Sequence, residues 1–572
     1  MDEKQLLDYA CLRFEEEKYD EALEAFVLAY SKGYEREWIM ENIYACYMAG
    51  NEPMFRETYG KQGFDSGVSY EACTLDFIPY KDGEYYVFDK VCAEFRGKFS
   101  AVGLENIEPS ETLKQVEFSA AALEFDGDWD KYQGLLAEAA NRKIYAVCHD
   151  MSRGMSYWKI PELEKYLTNV RMFPDQDSMQ QYFHENTAVY LPKIVYGENQ
   201  ELSDLFDREH AYRLTPEGRN TENVLLTIAI PTANRGYLLP KRMENLLKMS
   251  YDSEIEIAIS KNCTRFYEED YKKISEIQDA RVNYYDHGKE LKYYKNWHYT
   301  VEMAHGRYVL LVADEDDVVL EALEHYFRLL TGSLDLSMVR AKTTFQYSAL
   351  VEREFAQKGR DAFLCVFLRE NYLSGLIVRR KDFLQADLLS LDQHEDNIFY
   401  YFYPHEWWCA MLSQLGNVMF EPVELILEGD SVLTQEIQMY RDNGLLGDDE
   451  GTVGTTAFPR YSTYESRLEQ FMGQVEFIKW FCKSDMEWKY LALQKAVDKL
   501  AVLFALACNY KYDMEHFLSW IDEYARQCMN VIDAEIADKN QQTELLQMVY
   551  DRCVWLIGIQ KQMGLDNANE TS

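Results

Sequence analysis

The sequence lacks several features that mark secreted and membrane proteins. Its 12 cysteines include no C-x-x-C pair, and so long a chain does not need disulfide bonds for stability, so we expect reduced thiols. The longest apolar run that we find, Leu500 to Cys508, is much shorter than the roughly 20 residues that cross a bilayer. The acidic start, MDEKQLLDYA, has no basic-then-apolar signal segment. We therefore expect a cytoplasmic protein without a transmembrane segment.

Basic residues are also scarce relative to acidic ones. The 59 Lys and Arg are outnumbered by 98 Asp and Glu, which gives a net charge of −39 at pH 7. A surface this negative repels phosphate backbones and anionic lipids, so binding to nucleic acids is not expected. Hydrophobic residues make up 47% of the 572 residues, enough to bury large cores. At about 150 residues per domain, this length suggests roughly three to four domains.

Composition and periodicity divide most of the chain into three outer segments around a central one. Residues 1–64 carry Ala and aromatic residues at helical spacing, which predicts a tetratricopeptide-like helical segment or an ordinary helical cap. Residues 65–215 begin with a hairpin turned at Lys81-Asp82-Gly83 and then alternate strand-like and helix-like runs, which predicts a small α/β domain of unknown role. Residues 461–572 predict a helical bundle. The helical ends could bind a protein partner or mediate self-association.

The central segment, residues 222–440, carries the most informative motifs. The runs VLLTIAIP, EIEIAIS, RVNYYDH and RYVLLVA alternate with helix-like stretches. This alternation predicts a parallel sheet between helical layers, with ligands bound beyond the carboxyl ends of the strands. Four acids, Asp314 to Asp317, follow the last of these runs. Their mutual repulsion would be relieved by a divalent cation, although a solvated acidic turn is the alternative.

No other catalytic motif competes strongly with this acidic run. The sequence has no G-x-x-x-x-G-K-[ST] phosphate loop, no G-x-S-x-G nucleophile elbow and no His/Cys cluster with zinc-binding spacing. Enzymes built on those motifs are therefore weaker candidates.

In their order along the chain, the motifs over about residues 224–430 resemble those of the family-2 glycosyltransferases of the GT-A fold. TIAIPTANR resembles the family's first strand and donor-side turn, and AISKNCT its second strand with the nucleotide-side loop. KNWHYTVEMAHGRYVLLVADEDD resembles the helix, glycine, strand and D-x-D signature. SGLIVRRKDF followed by HEWWCAMLSQLG resembles the acceptor-side strand and the acidic helix start. The resemblance implies an α/β domain with a Rossmann-like mixed sheet.

The resemblance also implies a role for each matched residue. Asp314 and Asp316 would be the D-x-D acids that hold Mn²⁺ or Mg²⁺, with Asp316 the direct ligand and Asp314 nearer the donor ribose or sugar. Glu406 would be the catalytic base, and His405 is the alternative. The nucleotide would be contacted by Pro231, Thr232, Arg235 and Asn262. Lys261 departs from the family, which usually has an acid at this position, and this leaves the identity of the nucleotide open.

The activity implied is that of a hexosyltransferase-type glycosyltransferase. A sugar would pass, with inversion, from a nucleoside-diphosphate sugar (a UDP-sugar by default) to a hydroxyl of a glycan, a lipid-linked sugar or a protein, in surface glycan or glycoprotein synthesis. Two alternatives stay open. Lys261 suggests an inactive glycosyltransferase-like scaffold. VLLVADEDDVV also fits the nucleophile motif of haloacid-dehalogenase-like phosphatases, with Asp314 as the nucleophile, although Thr434 replaces the last acid of their later G-D-x-x-x-D motif.

Overall fold

The protein divides into an N-terminal and a C-terminal compact unit. The computed structural model describes residues 3–34, 36–50, 52, 69–110, 113, 118–344, 351–369, 372–429, 439, 442–443 and 460–570. The units are Met1–Asn220 and Thr221–Ser572. Within the described ranges, no helix combines the length and the apolarity needed to span a bilayer.

The first helices of the N-terminal unit pack through small residues. They are α1 (Glu3–Glu15), α2 (Tyr19–Ser31) and α3 (Arg36–Gly50). Ala10, Ala22 and Ala29 are completely buried, and side chains this small let neighbouring helices approach closely. Phe26, also completely buried, packs in the same core. The helices form where the apolar spacing predicts them, and their tetratricopeptide-like character stays a prediction.

An antiparallel sheet follows these helices in the chain. Its strands, in the order β1-β2-β3, are β1 (Leu75–Lys81), β2 (Glu84–Asp89) and β3 (Glu94–Ser100). Gly83 has a φ of +67° in the turn between β1 and β2, a conformation that glycine adopts without steric cost. Ile78, Tyr86 and Phe88 share a hydrophobic core with the helices. The helices therefore cover one face of this sheet.

A parallel sheet completes the N-terminal unit. Its strands, in the spatial order β6-β5-β4-β7, are β4 (Ala121–Phe125), β5 (Ile144–Cys148), β6 (Val170–Phe173) and β7 (Ile194–Tyr196). The helices of this part are α4 (Gln133–Glu138), α5 (Met151–Gly154), α6 (Glu164–Leu167), α7 (Gln176–Glu185) and α8 (Gln200–Arg213). In β5, Ile144, Ala146 and Cys148 enter one core, while Tyr145 and Val147 enter another. The strand is thus buried on both faces, as expected for a parallel sheet.

The C-terminal unit is built on a large mixed sheet. Its strands are β8 (Leu226–Thr232), β9 (Ile255–Lys261), β10 (Val282–Asp286), β11 (Tyr308–Leu311), β12 (Asp317–Val318), β13 (Leu336–Thr343), β14 (Glu354–Ala356), β15 (Leu376–Arg379) and β16 (Asn417–Leu427). They lie in the order β10-β9-β8-β11-β15-β13-β16-β12, and β14 pairs with β16. The strands from β10 to β11 are parallel, while β15 is antiparallel to both of its neighbours. This confirms a mixed α/β architecture.

Helices separate and cover these strands. They are α9 (Leu239–Leu246), α10 (Glu268–Ser275), α11 (Tyr293–Met303), α12 (Leu323–Thr331), α13 (Arg360–Val366), α14 (Arg380–Gln385), α15 (Ile398–Phe402) and α16 (Pro404–Leu412). Every residue of β8 and β9 is buried. The unbroken apolar runs of the sequence are therefore central strands, as their composition predicts.

The end of the chain is helical, as predicted, and packs against the sheet unit. Its helices are α17 (Tyr464–Cys482), α18 (Met486–Asn509), α19 (Phe517–Glu535) and α20 (Lys539–Glu570). Buried residues of these helices belong to the same hydrophobic core as residues of α13, α15 and α16. Trp407 on α16 illustrates the contact, because its ring lies 4.5 Å from that of Phe477 and 5.4 Å from that of Trp480. The terminal helices and the sheet therefore share a core.

Replacing Trp407 with Ala should destabilise the C-terminal unit by about 3–5 kcal/mol, because the change removes buried apolar surface and leaves a cavity. Urea unfolding followed by circular dichroism measures the loss. The control is Tyr550→Ala, at a site on α20 that is 64% exposed, which should change the free energy of unfolding by less than about 0.5 kcal/mol. A loss for Trp407→Ala as small as that of the control would contradict the shared core.

Candidate functional site

The candidate site lies where the order of the parallel strands reverses. From β8 the chain continues to β9 and β10 on one side, and then returns to place β11 on the other side of β8. The connections on either side of β8 diverge at such a switch point, and the crevice between them is where open α/β sheets bind ligands. Pro231 and Thr232 end β8, and Arg235 follows them. The acids from Asp314 onward follow β11, so the structure brings these predicted residues to the same crevice.

Arg235 links the two strand ends directly. Its Nη1 lies 3.1 Å from Oδ1 of Asp314 and 2.6 Å from Oε2 of Glu315. Asp314 is only 4% exposed, and a buried carboxylate needs a compensating cation. The turn after β8 is held by Tyr271, whose hydroxyl shares a 2.9 Å hydrogen bond with Oγ1 of Thr232 and accepts the backbone N–H of Arg235 at 3.1 Å. The guanidinium of Arg235 therefore approaches the acids from a fixed turn.

Asp316 is held by donors from two later segments of the chain. The hydroxyl of Tyr372 donates to its Oδ2 at 2.6 Å, and the backbone N–H of Gly429 donates to its Oδ1 at 3.0 Å. Burial raises the pKa of Asp316 despite these bonds. The same acidic loop is anchored through Ser374, whose Oγ accepts the N–H of Ala313 at 2.7 Å. The orientation of this carboxylate is thus set by the fold.

Glycine is required at position 429 because two backbone segments meet there. A Cβ on Gly429 would lie 1.8 Å from the carbonyl oxygen of Glu315. The preceding residue, Glu428, has a pKa raised by burial and by the neighbouring charges of Asp316 and Glu315. The end of β16 therefore adds a further carboxylate to the acidic loop.

The charges of this acidic loop are only partly compensated within the protein. Burial raises the pKa of Glu315 to about 7, with Asp314 adding to the shift and Arg235 opposing it. On the other side of the loop, Nη1 of Arg242 lies 3.0 Å from Oδ2 of Asp317, and its Nη2 donates to the carbonyl of Glu315. The charged forms of Glu315, Asp316 and Glu428 are therefore destabilised, and a further cation would stabilise them.

The donor set fits a divalent cation that is also bound by a ligand. Among the described residues, no group of three or more His, Cys, Asp or Glu side chains has the arrangement of a complete protein metal site. Mg²⁺ is commonly held by one or two carboxylates, with substrate phosphates and water as the other ligands. Asp314 and Asp316 match this pattern, because they are oxygen donors at a ligand crevice and are buried to 4% and 3% exposure.

The end of β9 lies beside the crevice, and its contacts show how the charge of Lys261 is compensated. Its Nζ lies 2.7 Å from Oε2 of Glu268 and 2.9 Å from Oδ2 of Asp286. Burial lowers the pKa of Lys261, but these two hydrogen bonds outweigh it and raise the pKa overall. The charge reversal that the sequence shows at this position is therefore neutralised by carboxylates of α10 and β10.

The amide of Asn262 is engaged with the backbone. Its Oδ1 accepts the N–H groups of Cys263 and Leu291, both at 2.8 Å, and its Nδ2 donates to the carbonyl of Leu291 at 2.8 Å. The backbone N–H of Asn262 also donates to the carbonyl of Thr232 at 2.9 Å. The residue thus joins the loop after β9 to the segment before α11 and to the end of β8.

The predicted catalytic base, Glu406, lies in the helical layer rather than on a strand-end loop. Glu406 and His405, the alternative base, are 2% and 7% exposed in the first turn of α16. Oε2 of Glu406 accepts the backbone N–H of Leu368 at 3.0 Å. Leu368 has a φ of +58°, which is unfavourable for a residue other than glycine. Glu406 therefore supports a strained segment that precedes Tyr372, the residue that binds Asp316.

Sequence reasoning missed the residues that support the acidic loop. They are Arg242, Tyr271, Tyr372, Ser374, Glu428 and Gly429 as a partner of Asp316. Tyrosine and serine are common in this chain, and these have no spacing relative to the acids that would distinguish them. Their positions follow only from the order of the strands.

Comparison with known proteins gives weak likenesses. No family model matches the chain, and no curated protein matches it. S. aureus TarS 1-349 in complex with UDP-GlcNAc matches at 12% identity and a TM-score of 0.35, over 60% of this chain and 92% of that chain. The mannosyltransferase PcManGT from Pyrobaculum calidifontis, in complex with GDP-Man and Mn²⁺, matches at 11% identity and a TM-score of 0.29, over 66% of this chain and 96% of that one.

A further S. aureus TarS structure matches 48% of this chain. The match spans about half, 54%, of the length of that TarS chain. The identity is 13% and the TM-score is 0.31. At such low identities and TM-scores, these likenesses carry no weight for the activity of this chain.

Replacing Gly429 with Ala should destabilise the C-terminal unit by about 1–3 kcal/mol, because the added methyl group displaces the backbone of the acidic loop. Gly558→Ala is the matched control, since a Cβ there has no atom within 4 Å and alanine favours the helical state. Thermal unfolding of both variants measures the difference. Equal melting temperatures for the two variants would contradict the close approach of Gly429 to Glu315.

Proposed function

We propose that the C-terminal unit, Thr221–Ser572, is a metal-dependent glycosyltransferase of the GT-A fold. Its donor is a nucleoside-diphosphate sugar, and the sugar passes with inversion to a hydroxyl group of an acceptor. The observation that carries this proposal is the meeting of Arg235 with the buried Asp314 and the partly exposed Glu315 at the switch point of the sheet. The motif resemblance of residues 224–430 to family-2 glycosyltransferases supports the same reading.

The charge balance of the crevice supports a donor that binds together with a cation. Asp314, Glu315, Asp316 and Glu428 are carboxylates at this crevice, and Arg235 is the cation that contacts Asp314 and Glu315. A diphosphate alone would meet net negative charge there, which opposes its binding. A divalent cation bound to Asp316 and Asp314 would cancel most of that negative charge and would offset the charge of the departing diphosphate.

The residues around the acids have distinct roles in this proposal. Tyr372 orients the carboxylate of Asp316 by its hydrogen bond of 2.6 Å. Arg235 can exchange its contacts with the acids for contacts with phosphate oxygens, which its guanidinium binds well. Pro231, Thr232 and Asn262 frame the nucleotide from the ends of β8 and β9. The backbone hydrogen bonds of Asn262 give it the role of shaping the loop that faces the nucleotide.

Glu406 is the proposed general base, with His405 as the alternative. It would take the proton of the acceptor hydroxyl as the oxygen attacks the anomeric carbon opposite the departing diphosphate, a contribution of about 10²–10⁴-fold. Its place in the first turn of α16, next to the buried rings of Trp407 and Trp408, keeps water away from the carboxylate. The acceptor class, a glycan, a lipid-linked sugar or a protein, stays a prediction.

The structure disfavours the two alternatives. The inactive scaffold is suggested by Lys261, but its ammonium is paired with Glu268 and Asp286 and is therefore not left as an uncompensated charge beside the nucleotide. A haloacid-dehalogenase-like phosphatase would carry its nucleophile after the first strand of its domain, whereas Asp314 follows β11, which comes after β8, β9 and β10. Oδ1 of Asp314 is also paired with Arg235.

Replacing Asp316 with Asn should weaken Mn²⁺-dependent donor binding at least tenfold, because the charge that holds the cation is lost. Asn still accepts the N–H of Gly429 through its Oδ1, and its Nδ2 can donate to the hydroxyl oxygen of Tyr372, so the fold should persist. A thermal-shift screen of UDP-, GDP-, CDP- and dTDP-sugars, with and without Mn²⁺, measures binding, since a ligand at 100 times its Kd adds about 2.7 kcal/mol of stability.

The matched control for this screen is Asp361→Asn, at an exposed position in the first turn of α13, which should bind donors as the wild type does. Donor binding that is independent of Mn²⁺, or unchanged in Asp316→Asn, would contradict the proposal. Hydrolysis of p-nitrophenyl phosphate, unaffected by any nucleotide sugar, would favour the phosphatase instead.

Replacing Glu406 with Gln should lower sugar transfer by about 10²–10⁴-fold while donor binding remains. Gln keeps an oxygen for the N–H of Leu368, so the strained segment keeps its support. Slow transfer of the sugar to water, followed as release of nucleotide, serves as the assay while the acceptor is unidentified. A wild-type rate in Glu406→Gln would remove Glu406 from the mechanism, and a loss in His405→Gln alone would assign the base to His405.

A further inference from the structure

A groove of about 930 Å³ lies in the N-terminal unit, between α2 and the antiparallel sheet. Its size is within the range of about 300–1,000 Å³ that ligand clefts occupy. Leu23 and Val27 on α2 form its apolar wall. In the part of the unit that the structure describes, no group of three or more His, Cys, Asp or Glu side chains could hold a metal ion, and the groove residues are remote in sequence from the crevice of the C-terminal unit.

Tyrosine rings line the sheet side of the groove. Tyr86 of β2 pairs directly with Ile78 of β1 and with Lys98 of β3, so these side chains project from the same face of the sheet. Tyr80 lies on that face as well, and its ring stacks on Tyr86 with centroids 4.2 Å apart and an angle of 15° between the planes. Tyr30 of α2 meets Tyr86 edge-on at 5.5 Å. The result is a rigid aromatic surface bordered by a helix.

Several polar groups of the groove have no partner among the described residues, although Tyr80 and Lys81 contact Glu84. Across the described part of the chain, the hydroxyls of Tyr30 and Tyr86, the ammonium of Lys98 and the carboxylates of Asp20 and Glu24 form no hydrogen bond or ion pair. Nζ of Lys98 instead lies 5.1–5.9 Å from the ring centres of the tyrosines. Burial raises the pKa of Tyr86 to about 12, so its hydroxyl is a hydrogen-bond donor at neutral pH.

These groups define the chemistry of the ligand. A purely apolar segment would bury the polar groups without partners, which costs about 1–3 kcal/mol for each. Two acids, Asp20 and Glu24, and two bases, Lys81 and Lys98, line the groove, and Lys81 is paired with Glu84, so there is no excess of positive charge to favour an anion. The net charge of −39 further opposes an anionic chain.

A sugar chain meets all of these conditions. Its hydroxyl groups both donate and accept hydrogen bonds, so they can pair with carboxylates and with an ammonium alike. Its C–H faces can pack on flat rings, which offer large apolar area with few rotatable bonds. We propose that the groove binds an uncharged oligosaccharide, with its C–H faces on Tyr80 and its hydroxyl groups on Glu24 and Lys98. This proposal does not depend on the transferase activity proposed for the C-terminal unit.

Binding of oligosaccharides to the full chain tests the proposal. The neutral probes are chitohexaose, cellohexaose, maltohexaose and mannohexaose, and the anionic probes are hyaluronan and heparin hexasaccharides. Isothermal titration should show saturable binding of at least one neutral probe. Tyr80→Ala and Glu24→Ala should weaken it at least tenfold, whereas Tyr550→Ala, which removes an exposed tyrosine of α20, should leave it unchanged.

Glu24 is exposed and has no partner among the described residues, so its variant reports on binding even where Tyr80→Ala perturbs folding. The melting temperature of each variant identifies such a perturbation. No binding of any neutral probe, equal binding by Glu24→Ala and the wild type, or a preference for the anionic probes would overturn the proposal. If a peptide competes only weakly with the neutral probe, the proposal is supported. If a peptide binds in place of the probe, the proposal is overturned.

The Mn²⁺-dependent nucleotide-sugar screen separates this outcome from the fate of the proposed function. Oligosaccharide binding without any donor binding would leave the groove as assigned and would refute the transferase. Donor binding without oligosaccharide binding would leave the transferase as proposed and would refute the assignment of the groove.

Discussion

Electrostatic repulsion among the carboxylates after β11 is the constraint on which the crevice of the C-terminal unit depends. The acids after β11 are held together because other elements supply compensating groups: Arg235 from the turn after β8, Arg242 from α9 and Tyr372 from the segment before β15. Without these groups, burial of the acids would leave their charges uncompensated. The strand order, which sets β8 beside β11, is therefore a condition for the acidic loop, and the incomplete compensation at this loop is the reason for proposing a cation there.

Two tyrosines fix both sides of this crevice. Tyr271 holds the turn that carries Arg235, and Tyr372 holds the carboxylate of Asp316. A phenol suits this position because its ring packs in the core while its hydroxyl reaches a polar partner. The groove of the N-terminal unit differs in this respect, since the hydroxyls of Tyr30 and Tyr86 have no partner among the described residues. The same residue type thus preorganises one site and leaves hydrogen-bonding capacity at the other.

The central strands were predictable because their composition is local information. VLLTIAIP and EIEIAIS became the fully buried strands β8 and β9, and the acidic run lies beyond the end of β11, where parallel sheets place their ligands. The supporting residues were not predictable. Gly429 lies more than a hundred residues after Asp316, and only the pairing of β16 with β12 brings its N–H to that carboxylate. Similarly, the departure at Lys261 could be read from the sequence, but not its ion pairs with Glu268 and Asp286.

The sequence by itself determined which segments are helices and central strands, and where carboxylates accumulate, because periodicity and apolar composition act over a few residues. Tertiary structure alone decided the antiparallel insertion of β15, the shared core of the sheet and the terminal helices, and the burial of Glu406 in that core. These features depend on contacts between residues far apart in the chain. Such contacts are selected by the fit of whole surfaces, which no short pattern encodes.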